Sequence, residues 1–131
     1  MQDYLRTDKL EQTIQFYGHN AGALAQAAQH HLSKPGKRTR SKLLFAATPN
    51  PTYSKALVHA AAAVELIHEA SIVHDDIQDQ TERRRGVPTV WRKFGADAAL
   101  LLGDHLVAAA FRAVAEAPDL GLARGPMIVA L

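Results

Sequence analysis

The chain is predicted to be all-α, and three observations carry that prediction. Residues 55–79 contain no glycine or proline and are dominated by Ala, Leu and Glu. Residues 8–32 and 97–116 place apolar side chains at helical spacing, and no run alternates with period two over a strand's length.

The elements follow in order. Over residues 8–32, Leu10, Ile14, Tyr17, Leu24 and Ala28 fall mostly three, four or seven apart, a helix loosened at Gly18 and Gly22. Ser33, Pro35 and Gly36 stop it. A second helix is expected from Lys37 to Ala47, with a turn at Pro49, Asn50 and Pro51. Ser54 is placed to cap a helix of about seven turns from Lys55 to Asp79. Residues 81–88 read as a charged loop and 90–94 as a helical turn. The segment 97–116 has apolar residues on two faces (Leu100, Leu101, Val107, Ala110, Phe111, Val114), as a central helix does. Residues 118–121 then form a turn, and 125–131 begin another apolar segment.

Composition narrows the function. With 131 residues, 47% of them hydrophobic and 21% charged, the chain has enough apolar material for one domain with a core. Fifteen Lys and Arg against 13 Asp and Glu are too evenly balanced to argue for nucleic-acid or membrane binding. The absence of cysteine excludes disulfides and thiolate metal sites and fits a reducing compartment, so a cytoplasmic location is expected. The start, MQDYLRTDKLEQ, does not read as a signal peptide. The apolar stretch 56–73 is broken by His59, Glu65, His68 and Glu69, so no transmembrane segment is expected.

The stretch His74-Asp75-Asp76-Ile77-Gln78-Asp79 is the most informative. Asp75 and Asp79 fall about 40° apart on one helical face and about 6 Å apart along the axis. Like charges one turn apart repel, and acid at a helix C-terminus opposes the macrodipole. A solvated helix end is one reading. A Mg²⁺ ion is the other, because it takes one or two carboxylates and completes its shell with water and phosphate oxygens. His68, two turns before Asp75, points to the same side and by itself reads as a hydrogen-bonded core histidine.

Cations flank the acids. Arg83-Arg84-Arg85-Gly86 returns to the acidic helix end within one short loop, and Gly86 and Pro88 set its turn. Salt bridging accounts for some of this charge, while guanidinium forks also bind phosphate oxygens in bidentate geometry. Upstream, Pro35-Gly36-Lys37-Arg38-Thr39-Arg40 sets three cations at the start of the second helix, where the dipole favours an anion. A basic solvent-facing turn is the plain alternative. Neither GxxxxGK[ST] nor GxGxxG occurs.

Taken together, these motifs resemble the trans-isoprenyl diphosphate synthases, the polyprenyl synthetase family, whose signatures are GKRxRP and a histidine two turns before DDxxDxxxxRRGxPT. The corresponding residues are 36–41, His68 and 75–89, with an extension through Leu102-Gly103-Asp104. The resemblance implies an isoprenoid-synthase-type helical bundle, of which residues 1–131 form the N-terminal half. It implies that Lys37, Arg40 and His68 bind the diphosphate of isopentenyl diphosphate, with Arg38 in the same motif. Asp75 and Asp79 would hold Mg²⁺ on an allylic diphosphate, Arg84 would contact that group, Arg85 would serve isopentenyl diphosphate, and Asp76 would support the cluster. Ala70 and Ser71, four to five residues before Asp75, would line the hydrocarbon tail and limit product length.

The sequence departs from the pattern at Ser41, where the family often has proline, and no second DDxxD follows Asp79. A chain or segment supplying the second half of the site is therefore expected, in a homo- or hetero-oligomer or a longer enzyme. The function expected is condensation of an allylic diphosphate with isopentenyl diphosphate to a longer trans-polyprenyl diphosphate. The alternatives are a non-catalytic regulatory subunit and a class I terpene cyclase; Lys37, Arg40, His68 and Arg85 count against the cyclase.

Overall fold

The computed structural model describes residues 2–19, 22–48, 54–118 and 128–131. Among these residues, helices and one small hairpin appear in the order α1 (Gln2–Gly18), α2 (Ala25–Leu32), α3 (Thr39–Ala47), α4 (Lys55–Asp79), β1 (Arg83–Arg84), β2 (Val87–Pro88), α5 (Val90–Phe94) and α6 (Ala96–Ala115). Among the described residues the regular structure is helical, as expected, apart from the hairpin.

Helix α4 is the axis of the fold, packing against α1, α3, α5 and, most extensively, α6. It spans the residues expected of it. The Ser54 hydroxyl accepts from the Leu57 N–H at 3.3 Å to cap its start, and Gln80, in the left-handed conformation, closes its end. Small residues let the helices approach closely: α4 buries Ala61, Ala62, Ala63 and Ala70, and α6 buries Ala99, Gly103, Ala110 and Ala113. A Cβ on Gly103 would stand 2.0 Å from His74 Nε2. The His74 ring donates to the Leu100 carbonyl at 3.0 Å, and His59 Nδ1 donates to the Ala113 carbonyl at 2.9 Å, so two histidines tie α4 to α6. Leu66, Leu102 and Leu106 are fully buried at the centre, each contributing roughly 1.5–3 kcal/mol of burial.

Four differences from the expected elements have physical causes. The first helix begins at Gln2 and divides: α1 ends at Gly18, where a Cβ would come within 2.5 Å of Leu32 Cδ1, so the glycine admits α2 against the end of α1. The helix expected from Lys37 begins at Thr39 instead, because Arg38 is left-handed at φ 56°; Lys37 and Arg40 therefore do not share a helical face. The charged loop is an antiparallel hairpin pairing Arg83 with Pro88 and Arg84 with Val87. Its two turn residues, Arg85 and Gly86, both have positive φ, the form that matches strand twist. Finally, α4 and α6 are long and apolar enough to cross a membrane by length and composition, which the interrupted apolar run did not suggest. In the fold they pack on each other, and α4 buries Glu65, Glu69 and Asp76 against polar or charged partners.

The segment after the hairpin is tied back to the end of α4. The Thr89 hydroxyl and the Trp91 indole N–H both donate to the Thr81 carbonyl at 2.7 Å. On α6 the second apolar face lies open: Leu100 and Leu101 are more than half exposed and Phe111 is exposed as well. The turns expected at 49–51 and 118–121 fall wholly or largely outside the described residues, as does the start of the last apolar segment, while residues 128–130 make one helical turn.

Candidate functional site

Helix α4 carries two polar stripes roughly 80° apart, as its 3.6-residue period dictates. One comprises His68, Asp75 and Asp79; the two aspartates are exposed and His68 is half-buried. The other comprises Glu65, Glu69 and Asp76, all buried. The exposed stripe is open to a ligand, and the buried stripe holds the surrounding basic segments.

Asp76 is bound by Arg84. The guanidinium donates from Nη2 to Oδ1 at 2.6 Å and from Nε to Oδ2 at 3.0 Å. This bidentate bond raises the Arg84 pKa further, so its charge is permanent. Asp75 and Asp79 accept no side-chain hydrogen bond among the described residues.

Glu65 holds the start of α3. Its Oε1 accepts from the Ser41 backbone N–H at 2.9 Å and from the Ser41 hydroxyl at 2.8 Å. That N–H belongs to the first turn, where no intrahelical acceptor exists, so a carboxylate on a neighbouring helix does the capping. Ser41 thus has a bonded role that a proline at this position could not fill.

Glu69 is 1% exposed. Its Oε1 faces Arg38 Nη1 at 3.1 Å and Arg85 Nη2 at 3.4 Å, and its Oε2 meets His31 Nε2 at 2.5 Å. Burial alone would raise the carboxyl pKa, but the His31 bond and the charges of His31, Arg85 and Arg38 outweigh it and hold the group down to about 2. Arg38 turns its remaining nitrogens to Glu11, with Nε to Oε1 at 2.6 Å.

Lys37, Arg40, His68 and Arg85 line one cleft of about 150 Å³, with Gly36, Arg38 and Thr39 and with the Glu65 and Glu69 carboxylates in its wall. Arg85 enters it across Gly36, where a Cβ would lie 2.9 Å from Nη2, and is steadied by the Lys34 carbonyl at 2.8 Å from Nη1. The His68 pKa is lowered, first by burial and then by the Arg40 charge. Its ring favours the neutral form, able to donate a hydrogen bond to an anion. A cleft in which the cations of Lys37, Arg38, Arg40 and Arg85 outnumber the carboxylates of Glu65 and Glu69, with a neutral imidazole beside them, suits a multiply charged oxyanion such as diphosphate.

The expected site residues therefore fall into distinct environments. Lys37, Arg40, His68 and Arg85 converge; Arg38 reaches the same cleft, but its guanidinium is directed into the interior. Arg84 is engaged by Asp76. Ser71 borders a groove of about 360 Å³ lined also by Val64, Ile67 and Leu131, whereas Ala70 is 2% exposed and turned into the core. The residues that sequence reasoning passed over are Glu65, Glu69 and His31. Their one available signal was two glutamates a turn apart inside an alanine-rich run, used only as evidence against a membrane span.

Among the described residues no three His, Asp or Glu side chains gather into a cation site. The donor set nevertheless suits Mg²⁺ completed by substrate oxygens: two exposed carboxylates one turn apart, beside a cationic cleft.

The chain is similar to known proteins of one family. Residues 21–127 match the family described as Polyprenyl synthetase. The chain is 45% identical over 105 residues to a geranylgeranyl pyrophosphate synthase of Geoglobus acetivorans, covering 77% of this chain and 33% of that protein. It is 38% identical over 110 residues to heptaprenyl diphosphate synthase component 2 of Geobacillus stearothermophilus, covering 83% and 33%. Among solved structures, geranylgeranyl pyrophosphate synthetase from Pyrococcus horikoshii Ot3 superposes with a TM-score of 0.79 at 35% identity, over 92% of this chain and 38% of that one. The chain spans about a third of the length of the curated relatives it matches. It belongs to the polyprenyl synthetase family and has part of the isoprenoid synthase fold.

Proposed function

We propose that this chain provides the first aspartate motif and the isopentenyl diphosphate site of a cytoplasmic trans-prenyltransferase, which joins isopentenyl diphosphate to an allylic diphosphate. The observation that carries the reading is the convergence of Lys37, Arg40, His68 and Arg85 on one cleft beside the exposed Asp75 and Asp79 on the same helix.

In this reading Lys37 and Arg40 bind the diphosphate as exposed charges, Arg85 approaches from the hairpin, and the neutral His68 donates a hydrogen bond. The permanent cations orient isopentenyl diphosphate with its double bond toward the allylic partner. Asp75 and Asp79 would hold Mg²⁺, which when bound neutralises the allylic diphosphate and aids its departure. Arg84, fixed by Asp76, presents its outer edge to that same diphosphate. The tail of the allylic substrate runs past Ser71 along the groove beside α4. The rest of the cavity comes from a further segment or a partner chain. The open apolar face of α6, with Leu100 and Leu101 more than half exposed, supports an assembly that covers it.

The test is steady-state kinetics of Lys37→Ala and Arg40→Ala in the full-length protein. Each raises KM for isopentenyl diphosphate by about tenfold or more and changes KM for the allylic substrate far less. Equal losses for both substrates, or no prenyl transfer by the wild type, would count against this function.

A further inference from the structure

Three non-glycine residues among those described have positive φ, and two of them, Arg38 at 56° and Arg85 at 54°, direct their guanidinium groups to the same carboxylate, that of Glu69. A left-handed backbone is disfavoured for a residue with a Cβ, so such residues persist where a turn or a tertiary contact holds them: the hairpin turn for Arg85 and the buried ion pairs for Arg38. The two lie on different segments, the basic turn before α3 and the tip of the hairpin. Glu69 is where those segments meet, and His31 of α2 bonds its other oxygen.

Arg38 stands between Lys37 and Thr39-Arg40, so its backbone angle sets the directions in which Lys37 and Arg40 leave the turn. Arg85 lies in the cleft itself. Stability alone does not explain such a cluster, because buried ion networks are often replaced by apolar side chains at no loss of stability.

We propose that Glu69 is a positioning residue for the diphosphate site: from the wall of the cleft its carboxylate holds the guanidinium groups of Arg38 and Arg85 and thereby aligns Lys37, Arg40 and Arg85 on one anion. The inference rests on the function proposed above and adds a residue, and a mechanism of alignment, to it. Neutralising Glu69 leaves Arg85 held only by the Lys34 carbonyl and Arg38 held only by Glu11 and Glu65, so the two guanidinium groups lose their common anchor and the cations of the cleft lose their alignment. Binding of isopentenyl diphosphate weakens, while the allylic site at Asp75 and Asp79, on the other stripe of α4, is spared.

The experiment uses the full-length protein with Glu69→Gln and Glu69→Asp, measuring KM for each substrate, kcat, thermal melting, and calorimetric binding of inorganic diphosphate. For Glu69→Gln, KM for isopentenyl diphosphate rises about tenfold, while kcat and KM for the allylic substrate stay within about twofold. Glu69→Asp keeps the charge one methylene further back and recovers part of the loss. A lower melting temperature with unchanged KM, or equal changes for both substrates, overturns the proposal in favour of a merely structural cluster. If Glu69→Gln does not fold, Glu69→Asp decides alone, and an unchanged KM for isopentenyl diphosphate overturns the proposal. Wild-type turnover with indifferent variants removes only the role of Glu69, whereas a wild type with neither turnover nor diphosphate affinity removes the proposed function along with it.

Discussion

Arg84 and Asp76 are joined by a bidentate bond whose two ends see very different surroundings, the arginine side chain being 38% exposed and the aspartate 5%. The pair is therefore asymmetric toward mutation. Removing Asp76 leaves an arginine that can turn to water, whereas removing Arg84 leaves a carboxylate stranded in the interior. Arg84→Ala is expected to destabilise by about 2–4 kcal/mol and Asp76→Ala by about half as much. Thermal unfolding of the two variants checks it, and the reverse order would refute the asymmetry.

The two exposed aspartates should behave oppositely to Asp76. In Asp75→Ala or Asp79→Ala, turnover of the full-length protein falls by about a hundredfold or more. Melting temperature is unchanged or higher, because one of two repelling charges is gone. Chelation of divalent cations should reproduce the loss in the wild type. Full activity in either variant would withdraw the metal assignment.

Acid should weaken the fold in two steps. His68 is a base whose folded pKa lies below its ordinary 6.5, so proton uptake favours the unfolded chain as pH falls through that value. Glu69 is an acid lowered from 4.5 to about 2. Its contribution, of the order of 3 kcal/mol, is complete above pH 4.5 and disappears as pH drops from 4.5 toward 2. Melting temperature against pH should lose its steepest limb in Glu69→Gln and its upper shoulder in His68→Asn.

These carboxylates also mark the limits of what the sequence disclosed. The bounds of α4 were legible because a serine cap, an unbroken run of helix formers and a closing polar turn are all local signals. The convergence of Lys37, Arg40, His68 and Arg85 was legible only through their joint resemblance to a family motif. Nothing in the residues around Glu69 announces its role, since its partners are His31, Arg38 and Arg85, brought in by tertiary packing. The left-handed turn at Arg38 was hidden for the same reason: the force bending it comes from across the interior. The hairpin escaped because strands of two residues are too short to show an alternating pattern.

Product length provides another test. Ser71 borders the groove beside α4 while Ala70 faces the core, so Ser71 is the informative position. The wild-type full-length protein should make products longer than about fifteen carbons, and Ser71→Phe should shorten them by filling the groove. Product chromatography decides, and an unchanged distribution in Ser71→Phe would rule out this path for the tail.

Trp91 is the sole tryptophan of these 131 residues, and its indole N–H is bonded to the Thr81 carbonyl, just beyond the end of the aspartate helix. Its fluorescence therefore comes from a ring attached to the joint between α4 and the arginine hairpin. Any ligand that draws the hairpin toward the helix end alters the polarity around that ring and the strength of its hydrogen bond, and with them the wavelength and intensity of emission. Within this part of the molecule, closure around a diphosphate can be timed optically, without an attached dye and before any product exists.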